Sequence, residues 1–129
     1  MIDGRQWSLW LRSEQAVVFA AALAAYHVGS HSWREFAILF LVPDLSMLGY
    51  LAGPRIGAIA YNLAHSYVGP AALLVCAAFV AAPGLLPVAL IWIAHIGVDR
   101  MLGFGLKSTA GFRHTHLGII GRGQPAAEP

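Results

Sequence analysis

Two ionisable residues share one face of the segment IWIAHIGVDR, residues 91–100. His95 and Asp99 are four positions apart, so a helix presents both side chains on the same side. Ionisable groups in such an apolar segment usually face a cavity or the interior of a helix bundle, where they mark a functional site. Asp44 and His65 lie in two earlier apolar segments. Because imidazoles and carboxylates bind zinc, iron(II) or manganese, the sequence predicts a divalent-metal site, with zinc favoured.

Other polar residues lie close enough in sequence to support this site. Tyr61 and Asn62 are within one turn of His65, where they could orient the imidazole or contact a substrate. His114 and His116 point to the same side if their segment is extended. We expect His116 to be a further metal ligand, with His114 beside it.

A structural network is the alternative reading of the same residues. The two aspartates would pair with Arg55 or Arg100, and the histidines would bond to backbone groups freed by Pro43 and Pro70. His27 and His31 are predicted to lie at the opposite membrane face, too far away to join the site.

The composition indicates a membrane protein that crosses the bilayer several times. Of 129 residues, 58% are hydrophobic and 11% charged, against roughly 25% charged in soluble domains. A single cysteine excludes a disulfide framework and a cysteine-rich zinc site. The basic residues are scattered at segment ends, which argues against nucleic acid as a partner and favours the lipid bilayer.

Four apolar segments are long enough to span a membrane at about 20 residues each. The sequence therefore predicts an all-α, four-transmembrane-helix bundle in one domain, residues 1–122, followed by a disordered tail, 123–129. We place the spans at about 13–30, 33–52, 55–81 and 86–103, and expect the segment 104–122 to fold back over the cytoplasmic mouth.

Local signals define some of these boundaries. Ser32 and Glu35 have capping-box spacing, so the second helix should begin at Trp33. Pro43 should bend that helix beside Asp44, and Gly69-Pro70 should kink the third helix.

The distribution of charge predicts the orientation of the bundle. Seven basic residues fall on the side that carries both termini and one, Arg34, on the other, so both termini should be cytoplasmic in a multi-pass protein of the cell's inner membrane. Counted from the cytoplasmic boundaries, Asp44, His65 and His95 all lie roughly 12 to 14 Å deep. We therefore expect these side chains to meet in one layer.

Three strings of the sequence resemble a family of small bacterial and archaeal membrane proteins known as domain of unknown function 4260. They are FLVPDLSMLGYLAGPRIGAIAYNLAH, WIAHIGVDRMLGFGLK and FRHTHLGIIGR. The resemblance covers about residues 31–122 and implies a four-span membrane protein without implying an activity. Its recurring elements correspond here to Asp44, Asn62, His65, His95, Asp99, Arg100 and His116.

The site suggests a membrane-embedded, metal-dependent hydrolase acting on a lipid-like or small amphipathic substrate. His65, His95 and Asp99 would hold the metal, and the metal would activate a water molecule. Asp44 would be a further ligand or the general base, and Arg100 would hold a phosphate or carboxylate. A looser similarity, to membrane-bound metal-dependent hydrolases with His and Asp on short transmembrane helices, supports this hypothesis by analogy.

Two other functions remain open from the sequence. The first is a small homo-oligomeric transporter or binding protein, such as a homodimer, whose buried Asp and His carry a cation or protons. The second is a non-covalent haem protein with His65 and His95 as axial ligands from facing helices.

Overall fold

The computed structural model describes residues 3–104 and, by their backbone, three short strands within 107–119. The helices are α1 (Gly4–Val28), α2 (Trp33–Leu39), a 3-10 helix (Val42–Ala52), α3 (Pro54–His65), α4 (Val68–Phe79) and α5 (Leu85–Met101). The predicted helical class is confirmed for residues 3–104. The strands β1 (Lys107–Ser108), β2 (Gly111–Thr115) and β3 (Gly118–Ile119) form a small antiparallel sheet that the sequence did not predict.

The first helix begins earlier than the predicted span. Asp3 and Gln6 form a capping box, in which the Gln6 amide donates to Asp3 Oδ1 at 2.8 Å and the Asp3 amide donates to Gln6 Oε1 at 3.3 Å. The cap satisfies two backbone donors that would otherwise lack partners. The helix therefore begins at Gly4 and not near residue 13.

The second segment begins as predicted but does not continue as one bent helix. The Glu35 amide donates to Ser32 Oγ at 3.3 Å, and α2 begins at Trp33. Pro43 has no amide hydrogen and cannot extend the α-helical bonding pattern. The chain tightens instead into the 3-10 helix, in which the Asp44 amide donates to the Leu41 carbonyl at 3.1 Å. The predicted bend is thus a change of helix type.

The third segment is broken close to the predicted kink. Helix α3 ends at His65 and α4 begins at Val68, with a bend of 40° between them. Pro70 lies in the first turn of α4, where a missing amide hydrogen costs little. The break therefore precedes Gly69-Pro70 and leaves His65 at a helix C-terminus.

Helix α5 lies at the centre of the fold and is buried on several sides. Helix α1 packs along one side of it, and a Cβ added to Gly97 would lie 3.3 Å from the Gln15 carbonyl oxygen and from Phe19 Cβ. Nearer the N-terminus of α5, Leu90 and Ile91 join Tyr26 of α1 in the apolar core, and Phe36 and Leu39 of α2 pack against it. The face of α5 that carries His95 and Asp99 is therefore directed at the 3-10 helix and α3.

One or two of the described helical segments could cross a membrane. The stretch Trp33–Ala52 has a mean hydropathy of 1.5 over its most apolar part, and the bent pair α3 and α4 qualifies if it forms one span. Helix α5 has 17 residues, which corresponds to about 26 Å. Leu51 and Phe79 are 88% and 85% exposed, as expected of apolar side chains that face lipid. The predicted four-span bundle is not confirmed.

The segment after α5 approaches α3. The backbones of β1 and β2 lie against this helix, and β3 pairs with the far edge of β2. The predicted tail 123–129 lies outside the described residues.

Candidate metal centre

Four ionisable side chains converge from three elements of the fold. Asp44 comes from the first turn of the 3-10 helix, His65 from the last residue of α3, and His95 and Asp99 from successive turns of α5. One ligand atom of each residue lies within 4.8 Å of the other three. The structure thus brings together Asp44, His65 and His95, which the sequence placed in one layer, and adds Asp99 from the next turn of α5.

The distances within this group are short and nearly equal. His65 Nε2 lies 3.1 Å from His95 Nε2, 3.3 Å from Asp44 Oδ1 and 3.2 Å from Asp99 Oδ2. His95 Nε2 lies 3.2 Å from each of the same two oxygens. Five of the six edges of a tetrahedron therefore measure 3.1 to 3.3 Å, and the sixth, between the carboxylate oxygens, is at most 4.8 Å.

These edge lengths match the coordination sphere of a small divalent metal. The centre of a regular tetrahedron with edges of 3.2 Å lies about 2.0 Å from each corner, and about 2.4 Å if the sixth edge has its maximum length. Zinc binds imidazole nitrogen at about 2.0–2.1 Å and carboxylate oxygen at about 2.0–2.2 Å. The four residues could therefore hold a metal with small adjustments of their side chains.

Protons alone account poorly for the same geometry. Each histidine Nε2 has three polar neighbours at 3.1 to 3.3 Å, but it can carry at most one hydrogen. Two Nε2–H groups would point at each other, and two unprotonated nitrogens would face carboxylates with no donor between them. If one nitrogen carries a hydrogen, that hydrogen can serve only one of its three neighbours, and the other nitrogen still faces both carboxylates. A cation at the centre satisfies all four atoms at once.

The orientation of the His65 ring favours metal binding through Nε2. Its Nδ1 lies 3.0 Å from the Tyr61 carbonyl, so a neutral ring donates its hydrogen there and leaves the Nε2 lone pair directed at the cluster. The Tyr61 ring stacks on the imidazole with centroids 3.8 Å apart and planes at 6°. Tyr61 therefore orients the imidazole, as its spacing indicated.

The cluster is buried on one side and open on the other. His65 and His95 are 3% and 2% exposed, whereas the Asp99 and Asp44 side chains are 20% and 43% exposed. The Phe40 ring packs edge-on against His95 at 5.2 Å and covers it. Asp44 therefore lies at the entrance, and the histidines and Asp99 lie behind it.

Side chains of α5 bind the C-terminal end of α3, where backbone carbonyls lack helical partners. The Trp92 indole donates to the Ala64 carbonyl at 2.5 Å, and Arg100 Nη2 donates to the His65 carbonyl at 3.3 Å. The Arg100 guanidinium also lies 4.8 Å from the centre of the Tyr67 ring. These contacts fix the helix end that carries His65.

The predicted structural network of aspartates and arginines does not match these contacts. Among residues 3–104, Asp44 and Asp99 form their ion-pair contacts with His65 and His95. Arg100 is instead bound to the α3 terminus, and Arg55 lies at the opposite end of α3.

The remaining predicted site residues have separate outcomes. Asn62 is half-buried on α3, one turn before His65. The side chain of His114 and the whole of His116 lie outside the described residues, so their expected roles stay predictions. His27 and His31 pack with Tyr26 and Trp33 and do not belong to the metal-ligating group.

Sequence reasoning missed three aromatic or amide side chains that support the site. Trp92 precedes His95 by three residues, a spacing that places both on one face of α5 and could have identified it. Tyr67 donates its hydroxyl hydrogen to Gln15 of α1, and nothing in the local sequence pattern indicates this long-range contact. It connects α1 to the break between α3 and α4.

Comparisons with known proteins agree with the resemblance seen in the sequence. No curated protein and no solved structure matches the chain. A family model described as "Domain of unknown function (DUF4260)" matches residues 8–120, which include all four residues of the cluster. The chain therefore belongs to the DUF4260 family.

Proposed function

We propose that this protein is a membrane-embedded, metal-dependent hydrolase. His65, His95 and Asp99 hold a divalent metal, zinc in preference to iron or manganese, close to a lipid-like or amphipathic substrate. The observation that carries the proposal is the group of four ligand atoms with five edges of 3.1 to 3.3 Å. Edges of this length suit tetrahedral zinc.

The charge of the ligand set supports a divalent ion. Two neutral histidines and two carboxylates carry a total charge of −2, so a doubly charged cation makes the group neutral. Burying an isolated charge in a low-dielectric environment has a large unfavourable free energy, and a divalent cation among the four ligands offsets most of it. A monovalent or trivalent ion would leave a net charge among the buried histidines.

The exposure of the two aspartates supports different roles for them. Both aspartates contact both histidines, but Asp99 is the more buried, which suits a permanent ligand. Asp44 lies at the entrance, where it can complete the coordination sphere or leave it and accept a proton from metal-bound water. A catalytic metal site needs such an exchangeable position.

The reaction we propose is hydrolysis of an ester or amide bond. The metal supplies an activated water molecule when it is bound. Asp44 accepts a proton from that water molecule while the oxygen of the water forms a bond to the substrate carbonyl carbon. The bond to the leaving group then breaks, and the proton passes to the departing oxygen or nitrogen. Arg100 was expected to hold an anionic group, but its contacts with His65 and Tyr67 support a positioning role.

The wider setting of the site is also part of the proposal. We infer a multi-pass protein of the inner membrane with four spans and cytoplasmic termini, based on the distribution of basic residues. His116 and His114 would approach the site from the C-terminal segment, whose strands β1 and β2 lie against α3. A homodimer is compatible with this arrangement.

The geometry does not favour haem as the bound group. A haem iron between two axial histidines separates their nitrogens by roughly 4 Å, twice a metal–nitrogen bond, with the porphyrin plane between them. Here the two Nε2 atoms are 3.1 Å apart, and two carboxylate oxygens lie beside them. That space holds a single ion.

Metal analysis of the detergent-purified protein tests the proposal first. We expect one zinc per chain, which the His95→Ala and Asp99→Asn variants should lose while they remain folded. His27→Ala is the matched control, because His27 is an exposed histidine remote from the cluster, and it should keep its metal.

Hydrolysis is tested separately from binding. The zinc-loaded protein should cleave a chromogenic acyl ester, and the metal-stripped protein and His95→Ala should not. A protein that binds zinc at the cluster but cleaves neither ester nor amide probes would instead be a metal-binding or cation-transport protein. Absence of metal in the wild-type protein after reloading with zinc would contradict the whole proposal.

A further inference from the structure

An apolar cleft adjoins the metal-ligand cluster and has its own set of lining residues. Its volume is about 350 Å³, within the range of small-molecule sites. Each element that supplies a metal ligand also supplies a wall of the cleft next to that ligand. Pro43 precedes Asp44, Ala64 precedes His65, and Ile91 lies one turn before His95. A molecule in the cleft therefore has one end beside the cluster.

The lining of the cleft suits hydrocarbon and offers few polar partners. Its two polar side chains are already engaged, since Ser46 Oγ donates to the Pro43 carbonyl at 2.7 Å and the Trp92 indole donates to the Ala64 carbonyl. A polar ligand in the cleft would lose its hydrogen bonds to water without replacement, which is costly. An alkyl chain has no such loss.

The cleft opens on the apolar outer surface of the protein. Val42 and Val88 line it, and they are 46% and 40% exposed. A chain can thus enter sideways from the bilayer without crossing water. Because lipid tails are as apolar as the cleft, moving a chain from the bilayer into the cleft gains little hydrophobic free energy. The gain comes instead from close packing of one chain in one position.

We propose that this cleft binds a single acyl chain of the substrate and places the adjoining carbonyl group at the metal. The inference rests on the proposed hydrolase and narrows its substrate to acyl lipids, with cleavage at the carbonyl end of the chain. Seven residues separate Val88 from His95, which is about 10 Å along α5. An octanoyl chain matches this length and is the probe for the test.

The test uses hydroxamates, whose polar group binds zinc and whose alkyl chain can be varied. We compare acetohydroxamate with octanohydroxamate on the zinc-loaded, full-length protein in one detergent. Octanohydroxamate should bind on the order of tenfold more tightly than acetohydroxamate, because the walls of the cleft pack against its longer chain and acetohydroxamate has no such contact. Val88→Trp fills the cleft and should remove this gain while leaving the affinity for acetohydroxamate unchanged.

Leu86→Trp is the matched control, since Leu86 is also an exposed apolar residue of α5 but does not line the cleft. It should keep the chain-length gain, and because both variants share one detergent, partitioning of the probe into micelles cancels. An equal gain in both variants would overturn the acyl cleft and leave the metal site standing. If zinc-loaded protein bound neither hydroxamate, the proposed catalytic metal would fail, and the inference with it.

Discussion

The two aspartates of the cluster should contribute unequally to metal affinity, and this difference follows from their burial. Asp99 is 20% exposed and lies 3.2 Å from both histidines, whereas Asp44 is 43% exposed at the entrance. Replacing either residue by Asn keeps the side-chain shape and removes one negative charge. The zinc-loaded site, which is neutral in the wild-type protein, then carries a net positive charge.

The size of the effect depends on how well water or lipid headgroups can compensate. Removing one partner of a buried ion pair costs about 3–5 kcal/mol, which corresponds to roughly 150- to 5,000-fold in Kd. An exposed pair contributes about 0.2–1 kcal/mol, or less than about sixfold. We therefore expect Asp99→Asn to weaken zinc binding at least about 30-fold more than Asp44→Asn.

Competition with a chromophoric zinc chelator in detergent measures both dissociation constants. Asp3→Asn is a suitable control, because it removes a carboxylate far from the cluster and Asn also caps helices well. If Asp44→Asn weakened binding as much as Asp99→Asn, Asp44 would be an equal ligand and the proposed base would be lost. If neither variant changed the affinity, the metal would bind elsewhere.

Three further outcomes follow from the same contacts. Arg100→Met removes the donor to the His65 carbonyl and should weaken zinc binding about 10- to 100-fold, as loss of supporting contacts does at other metal sites; unchanged affinity in the chelator assay would contradict the positioning role. Gly97→Ala should be about 1–3 kcal/mol less stable to unfolding than Gly4→Ala, because both changes favour the helix but only the Cβ at position 97 would crowd a neighbour, Phe19 at 3.3 Å. Zinc affinity should be lower at pH 5.5 than at pH 7.5, because protons compete with the metal for the ligand nitrogens; equal affinity at the two pH values in the same assay would argue against histidine ligation.

The sequence predicted the cluster because its spacing and chemistry are local signals. His95 and Asp99 follow the four-residue helical repeat, and apolar surroundings distinguish them from ordinary surface residues. Depth along a helix then indicated which other residues could meet them. The distances that distinguish a metal site from a hydrogen-bonded network depend on side-chain positions, and these required the structure.

Helix boundaries were less predictable, for identifiable physical reasons. The capping box at Ser32 and Glu35 gave the start of α2, whereas the similar spacing of Asp3 and Gln6 lies before the predicted first span and was not used. The effect of Pro43 was predicted only in part, since loss of one amide hydrogen permits either a bend or a 3-10 helix. In this protein the chain forms the 3-10 helix, which packs along α3.

The central position of α5 connects the packing of α1 to the geometry of the candidate metal centre. His95 and Asp99 face the cluster, and Gly97, two residues from each, faces α1 so closely that an added Cβ would lie 3.3 Å from Phe19 and would require a shift of a few tenths of an ångström. A shift of α1 must therefore move α5 and both of its ligands together. Since α5 supplies two of the four ligands, its displacement would change their distances from Asp44 and His65, three of which measure 3.1 or 3.2 Å. The small residue at position 97 thus connects the packing of α1 to the geometry of the proposed site.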